Sequence, residues 1–175
     1  LNTYFFFFAE QKKFIENLNR ITDLNTGTLK DIRRLSMQIS ARNQIMGVVE
    51  KISHGAVNAE VQIKLKSGNS LVSIITNTAT ENLELNIDDE VIAVIKSSNV
   101  LLSTENEMKL SARNCIKGVI EGINQGEVNS EVVINIGNED KMVTIITTNS
   151  IKNMNLKVGT TVDAIIKASD IMIGR

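Results

Sequence analysis

Apolar and polar residues alternate with a period of two along most of the chain, and this alternation predicts short β-strands. The alternation is clearest over Val57–Leu65, where every second residue is apolar or small. Ser67-Gly68-Asn69 follows and predicts a hairpin turn into the next apolar run, Leu71–Ile75. Three further runs bring the total to about five strands: Ile45–Ile52, Val91–Ile95 and Val100–Leu102.

This strand pattern occurs twice. A shift of about 71 residues aligns Ser40-Ala41-Arg42-Asn43 with Ser111-Ala112-Arg113-Asn114, and the register then holds without a gap to the end of the chain. Of the 63 positions from Ser40 to Leu102, 26 are identical in the second copy. The sequence therefore contains two copies of one small domain.

The expected fold of each copy is a small closed barrel. Thr78 to Leu83 predicts one helical turn between the third and fourth strands, because hydroxyl and acidic residues stand where a short helix begins. About five short strands with one helical turn at this point are typical of a barrel of the OB type. Closure also removes the sheet edges that such apolar strands would expose.

The first 36 residues have a different composition and predict helices. All five Phe and the single Tyr lie at or before Phe14, and Pro and Trp are absent from the chain. Apolar residues recur at helical spacing from Glu10 to Ile21, and Leu29 to Leu35 forms a second amphipathic stretch. Such a helix cannot bury Phe5, Phe8, Phe14 and Leu18 alone, so we expect a homodimer.

Several classes of function are excluded by composition. The net charge of −1 and a pI near 5.9 do not fit a DNA-binding surface within these residues. Cys115 and His54 are the only residues of their types, so an intrachain disulfide and a structural zinc site lack their residues. His54 stands beside Gly55, which indicates an exposed turn and not the histidine of a Ser/His/Asp triad. Glycine-rich phosphate loops and long apolar spans are absent from the sequence too. We therefore expect a cytoplasmic protein that is not an enzyme and has no cofactor.

A set of polar residues recurs in both copies and suits an oxyanion. Backbone N–H and side-chain O–H dipoles solvate a dianion, and a single lysine offsets part of its charge. In an alternative interpretation these residues have structural roles only: they begin strands, favour β-structure or place a solvated charge at a sheet edge. The recurrent pairs are Ser40/Ser111, Arg42/Arg113, Thr76/Thr147, Lys96/Lys167 and Ser98/Ser169.

These motifs, taken together and in order, resemble the molbindin (Mop) family. They are the Ser-Ala-Arg-Asn opening, the Gly-x-Val-Asn-x-Glu-Val segment, Ile-Ile-Thr before a short helix, and the closing Ile-Lys-[Ser/Ala]-Ser. The resemblance covers roughly residues 37–175 and implies an OB-like barrel that binds molybdate or tungstate between subunits. In the first copy it implies binding through Ser40, the backbone around Arg42 and Asn43, Thr76, and Lys96-Ser97 from a neighbouring subunit. The matching residues of the second copy are Ser111, Arg113, Asn114, Thr147, Ser150, Lys167 and Ala168.

The two copies differ at one position of this pattern. The family often has a serine three places after the threonine of Ile-Ile-Thr, and the second copy keeps it as Ser150. The first copy has Ala79 there, with Thr78 and Thr80 as neighbouring substitutes. The resemblance therefore implies two sites of unequal affinity.

A second resemblance concerns the start of the chain. Leu29 to Gln38, leading into Ser-Ala-Arg-Asn, is similar to the linker of molybdate-responsive transcription regulators. In those proteins a tandem Mop pair follows a winged helix-turn-helix domain, so DNA binding would belong to a segment upstream of Leu1. The expected organisation is a helical linker and dimerisation segment at 1–36 and barrels at 37–104 and 105–175. The resemblance leaves two alternatives to a transcription regulator: a stand-alone molbindin that buffers molybdate, and an accessory domain of a molybdate-import ATPase.

Overall fold

The structure is a computed structural model of the chain, and it describes residues 39–104, 110–138 and 140–175. The helices and the dimerisation segment predicted for residues 1–36 lie outside the described residues. The described part is built mainly of β-strands, with two short α-helices and two 3-10 turns. The strands, the hairpin at Gly68 and the helical turn after the third strand are confirmed.

The elements of the two copies follow each other in the same order. The first copy consists of β1 (Asn43–His54), β2 (Asn58–Leu65), β3 (Ser70–Thr76), α1 (Asn77–Asn82), β4 (Glu90–Ile95), a 3-10 turn (Ser97–Asn99) and β5 (Leu101–Ser103). The second copy consists of β6 (Asn114–Gln125), β7 (Asn129–Gly137), β8 (Asp140–Thr147), α2 (Thr148–Asn153), β9 (Thr161–Ile166), a 3-10 turn (Ala168–Asp170) and β10 (Ile171–Gly174).

The fifth strand of each copy belongs to the sheet of the other copy. The strand orders are β10-β4-β1-β2-β3 and β5-β9-β6-β7-β8, and the strands pair in antiparallel fashion. In the first sheet Ile171 lies opposite Ile95, and in the second sheet Leu101 lies opposite Ile165. The sequence indicates five strands per copy, whereas the structure exchanges the last one. Separation of the two copies would therefore remove an edge strand from both sheets.

A buried hydrogen bond joins the two edge strands of each sheet. Ser73 on β3 donates its hydroxyl to the carbonyl oxygen of Ile171, at the start of β10, over 2.6 Å. Thr144 on β8 donates to the carbonyl oxygen of Val100, directly before β5, also over 2.6 Å. Both hydroxyl side chains are fully buried. These bonds help curl each sheet into an OB-like barrel, as the sequence predicts.

The apolar side chains buried in the described cores are aliphatic residues and methionine. Alternate residues of β2 and β7 point inward, and Val61, Ile63, Val132 and Ile134 are fully buried at corresponding positions of these strands. None of the helices among the described residues has the length and apolar character that crossing a membrane requires.

Gly118 on β6 leaves space for a close approach of β7. A Cβ at this position would lie 2.5 Å from Cγ2 of Ile134 and 2.7 Å from the carbonyl oxygen of Asn135. We expect Gly118→Ala to lower the free energy of unfolding by about 1–3 kcal/mol, because neither atom can move away without disturbing the sheet. Urea denaturation measures the effect.

Gly122, on the same strand, provides the matched control. A Cβ there has nothing within 4 Å, so Gly122→Ala should change the stability by less than about 0.5 kcal/mol. Equal losses for the two variants would contradict the explanation by close approach.

Candidate functional site

The asparagines of the two Ser-Ala-Arg-Asn segments connect the copies. The side-chain amide of Asn43 donates to the carbonyl oxygen of Val143 over 2.8 Å and accepts from the N–H of the same residue over 2.6 Å. Asn114 makes the same pair of bonds with Val72, over 2.9 and 2.6 Å. Both asparagines are buried. Their side chains therefore bond to the third strand of the other copy, and only their backbone groups are left to contact an anion.

The two arginines of these segments form ion pairs with carboxylates of the other copy. Arg42 contacts Glu131 on β7, with 2.7 Å between Nη2 and Oε2. Arg113 contacts Glu60 on β2 through two N–O distances of 3.0 Å. Both glutamates occupy the same position of the Gly-x-Val-Asn-x-Glu-Val repeat. Each predicted anion-binding arginine thus has an anionic neighbour already.

The lysines lie at the same ends of the barrels as the arginines. Lys96 directly follows Ile95, which is paired with Asn43, so Lys96 and Arg42 both lie one residue beyond this pair. The second copy repeats this arrangement at the start of β6 and the end of β9. Ser97 and Ala168, which follow the lysines, are buried. The exposed members of the predicted set at these ends are Ser40, Arg42, Lys96, Ser111, Arg113 and Lys167.

The threonines of the set cap the two short helices. The hydroxyl oxygen of Thr76 accepts a hydrogen bond from the N–H of Ala79 over 3.1 Å. Thr147 accepts from the N–H of Ser150 over 3.0 Å, and the two hydroxyl oxygens lie 2.7 Å apart. The second copy therefore presents two neighbouring hydroxyls where the first presents one.

The two threonines near Ala79 differ in what they offer. Thr80 is buried and donates its hydroxyl to the carbonyl oxygen of Asn77 over 2.6 Å, so its O–H group is occupied within the helix. Thr78 is exposed. Of the two substitutes that the sequence offers, only Thr78 has a hydroxyl directed to solvent.

Within one copy, the basic residues and the capping threonine lie at opposite ends of β1. Arg42 and Lys96 lie beside its first residue, whereas α1 contacts its last residue through His54 and Asn77, whose Nδ1 and Oδ1 atoms are 3.3 Å apart. Twelve residues of straight strand would be roughly 35 Å long at about 3.3 Å per residue, and even the curled and bulged β1 keeps its two ends well beyond the reach of one small anion. One anion therefore cannot contact Lys96 and Thr76 of the same copy, and a site that uses both types of group needs a second copy.

Other polar features of the described part lie outside the predicted set. A shallow cavity of about 320 Å³ is lined by Ser103, Thr104, Lys117, Thr161, Val162 and Asp163, which are not members of that set. Beside it, burial raises the pKa of the Cys115 thiol, and the negative charge of Asp163 raises it further. Across residues 39–104, 110–138 and 140–175, the His, Cys, Asp and Glu side chains do not gather into a metal-binding group of three.

The sequence-based set omits the glutamates that contact the arginines. Glu60 and Glu131 belong to a repeated segment that is part of the family resemblance, so their recurrence was visible in the sequence. Recurrence alone does not tell which side chain a residue contacts, because the contact joins different copies.

Comparisons with known proteins assign the family. Residues 39–102 and 110–173 each match the family model described as the TOBE domain. The chain is 38% identical over 162 residues to the molybdenum transport protein ModE of Azotobacter vinelandii, covering 90% of this chain and 59% of that protein. It is 32% identical over 146 residues to the transcriptional regulator ModE of Yersinia pestis, covering 83% and 56% of the two chains. The chain thus spans less than two thirds of the length of either relative.

A solved structure matches the same region. The cytoplasmic molybdate-binding protein ModG, in a crystal form with molybdate bound, superposes with a TM-score of 0.76 at 38% identity. The match covers 79% of this chain and 99% of that chain. The matched segments make up more than half of the sequence and contain nearly all of both sheets. The chain therefore belongs to the TOBE-domain family and carries two tandem domains of the molbindin (Mop) type.

Proposed function

We propose that the chain binds the tetrahedral dianions molybdate and tungstate. One observation carries this proposal: each barrel has basic residues at one end and a short helix capped by a threonine hydroxyl at the other, and this arrangement occurs in both copies. Neutral donors that are fixed in place stabilise an anion without reorganising, and one cation offsets part of its charge. The molybdate bound in the related ModG structure supports this choice of anion.

Each proposed site combines two subunits of a homodimer. The length of β1 separates Arg42 and Lys96 from Thr76 within one copy. Because the family resemblance implies a site between subunits, Arg42 and Lys96 of one subunit would face Thr76 of the same copy in the other subunit. Ser40, Asn43, Ser97 and Ala79 complete the proposed site of the first copy. The site of the second copy comprises Ser111, Arg113, Asn114, Thr147, Ser150, Lys167 and Ala168.

The proposed role is the effector-sensing half of a molybdate-dependent transcription regulator in the cytoplasm. The match to the Azotobacter ModE covers 90% of the chain, whereas residues 39–175 account for 137 of the 175 residues. The similarity therefore extends into the first 38 residues, which favours the regulator. DNA would be contacted through a segment upstream of Leu1.

A stand-alone molybdate-binding protein is the second candidate. It is favoured by the match to ModG, because residues 39–175 account for almost the whole of that chain. An accessory domain of a molybdate-import ATPase is the third candidate, and it requires a nucleotide-binding segment that these residues do not contain. All three candidates bind the anion without catalysing a reaction.

Isothermal titration calorimetry with four anions tests the proposed ligand. We expect molybdate and tungstate to bind and sulfate and phosphate at equal concentration to give no comparable heat, since the smaller sulfate would leave donors beyond hydrogen-bond distance. Equal binding of all four anions would indicate a general anion patch and overturn the proposal.

A further inference from the structure

We propose that Glu131 competes with the bound anion for Arg42, and thereby sets the affinity of that site, with Glu60 acting on Arg113 in the same way. This inference rests on the proposed function. Each of these two glutamates lies beside a proposed anion site, where its negative charge opposes the binding of an anion.

The geometry gives each arginine a carboxylate partner of the other copy. Arg42 and Glu131 approach to 2.7 Å, and Arg113 and Glu60 form a two-pronged contact at 3.0 Å. Carboxylates and tetrahedral oxyanions present the same type of acceptor to the N–H groups of a guanidinium. An anion that contacts the guanidinium of Arg42 must therefore share it with Glu131 or replace Glu131.

Glu131 has little freedom to move away with its backbone. Its neighbours on β7, Ser130 and Val132, are buried, and Glu131 itself pairs with Ile145 of β8 and Asn124 of β6. The backbone of a central strand is fixed on both sides, so only rotation of the side chain can release the arginine. The carboxylate thus stays near the guanidinium when an anion arrives.

The two ion pairs differ in their exposure to water. The side chain of Glu131 is 18% exposed and that of Arg42 41%, whereas Glu60 and Arg113 are 36% and 57% exposed. Water and salt screen the more exposed pair more strongly. The competition should consequently be stronger at Arg42 than at Arg113.

The charge of the ligand distinguishes two possible roles of Glu131: competition with the anion and simple positioning of Arg42. A carboxylate that repels the ligand penalises a dianion more than a monoanion of the same shape, because the Coulomb energy is proportional to the ligand charge. Perrhenate is a tetrahedral monoanion and serves as the comparison for molybdate. A carboxylate that only orients Arg42 would instead support the binding of both anions.

The test is a titration of Glu131→Gln and Glu60→Gln with molybdate and with perrhenate. We expect Glu131→Gln to tighten molybdate binding about tenfold and perrhenate binding about threefold. Glu60→Gln should also tighten molybdate binding more than perrhenate binding, but both gains in affinity should be smaller than for Glu131→Gln. Glu121→Gln is the matched control, since Glu121 forms an ion pair of 2.8 Å with Lys141, outside the proposed sites. Its anion affinities should equal those of the wild type.

Unchanged or weaker molybdate binding in both glutamine variants would overturn the competition. Equal gains for molybdate and perrhenate would overturn it too, because the effect would then not follow the charge of the ligand. A wild-type chain that binds no oxyanion would overturn the proposed function itself, and this inference with it. The wild-type titration therefore separates the two failures.

Discussion

Asn114→Leu is expected to lower the free energy of unfolding by about 3 kcal/mol, the largest loss of stability that we predict for a single side chain. The amide of Asn114 bonds to the N–H and the carbonyl oxygen of Val72, and also donates to the carbonyl oxygen of Ile166 over 3.3 Å. Leucine has a similar size but can make none of these bonds. The part-buried N–H and carbonyl groups of Val72 would lose these partners, and a polar group left buried without a partner costs about 1–3 kcal/mol.

Chemical denaturation of Asn114→Leu beside Asn124→Leu measures this loss. Asn124 lies on the same strand but is exposed, so its replacement should change the stability by less than about 0.5 kcal/mol. Asn43→Leu should behave like Asn114→Leu, because Asn43 bonds to Val143 in the same way. Similar stabilities of Asn114→Leu and Asn124→Leu would show that the amide contributes nothing across the two copies.

Local patterns of the sequence were sufficient to predict the elements of each barrel. The period-two alternation around Val61 marks which side chains face the core, and the glycine at Gly68, with a φ of +86°, marks the hairpin turn. The repeat then doubles the evidence for every element. Strand positions and the fold class follow from these features because both depend on neighbouring residues.

The exchange of the fifth strands could not be predicted in the same way. Alternation states which face of a strand is buried but does not identify the strand beside it. Leu101 and Met172 hold equivalent positions in two similar copies, so either could pair with either sheet. The pairing depends on where the chain turns after residues 97–99 and 168–170, which is a property of the folded unit.

The candidate site was predicted as a set of residues but not as an arrangement. Recurrence in both copies identifies Arg42 and Arg113, yet their partners Glu131 and Glu60 belong to the opposite copies. Spacing along the chain gives no information on such contacts. The same limit applies to Asn43: the expectation concerned its backbone, and nothing in the spacing indicated that its side chain bonds to β8.

Lys167→Met is expected to abolish the tighter phase of a molybdate titration, and Lys96→Met to affect mainly the weaker phase. The second copy presents the hydroxyls of Thr147 and Ser150 within 2.7 Å of each other, whereas the first copy has Ala79 at the equivalent position. A hydrogen bond to a charged ligand is worth about 1.5–3 kcal/mol, which corresponds to about ten- to a hundredfold in affinity. Methionine keeps the length of lysine and removes its charge.

Lys157→Met is the control, because Lys157 is an exposed lysine that is not part of the proposed set. Its titration should show both phases unchanged. The separation into two phases itself depends on the missing hydroxyl, so Ala79→Ser should tighten the weaker phase toward the stronger one. An ordered water held by the exposed Thr78 would reduce this gain.

Double variants test which lysine shares a site with which hydroxyl group, because only the lysine of the same site can remove the gain in affinity from Ala79→Ser. If the site at Thr76 uses Lys96 of a neighbouring subunit, adding Lys96→Met to Ala79→Ser removes the gain in affinity, while adding Lys167→Met leaves it. The opposite result would mean that lysine and hydroxyls come from different copies, and it would overturn the proposed composition of both sites. Identical binding constants for Ala79→Ser and the wild type would instead overturn the inequality between them.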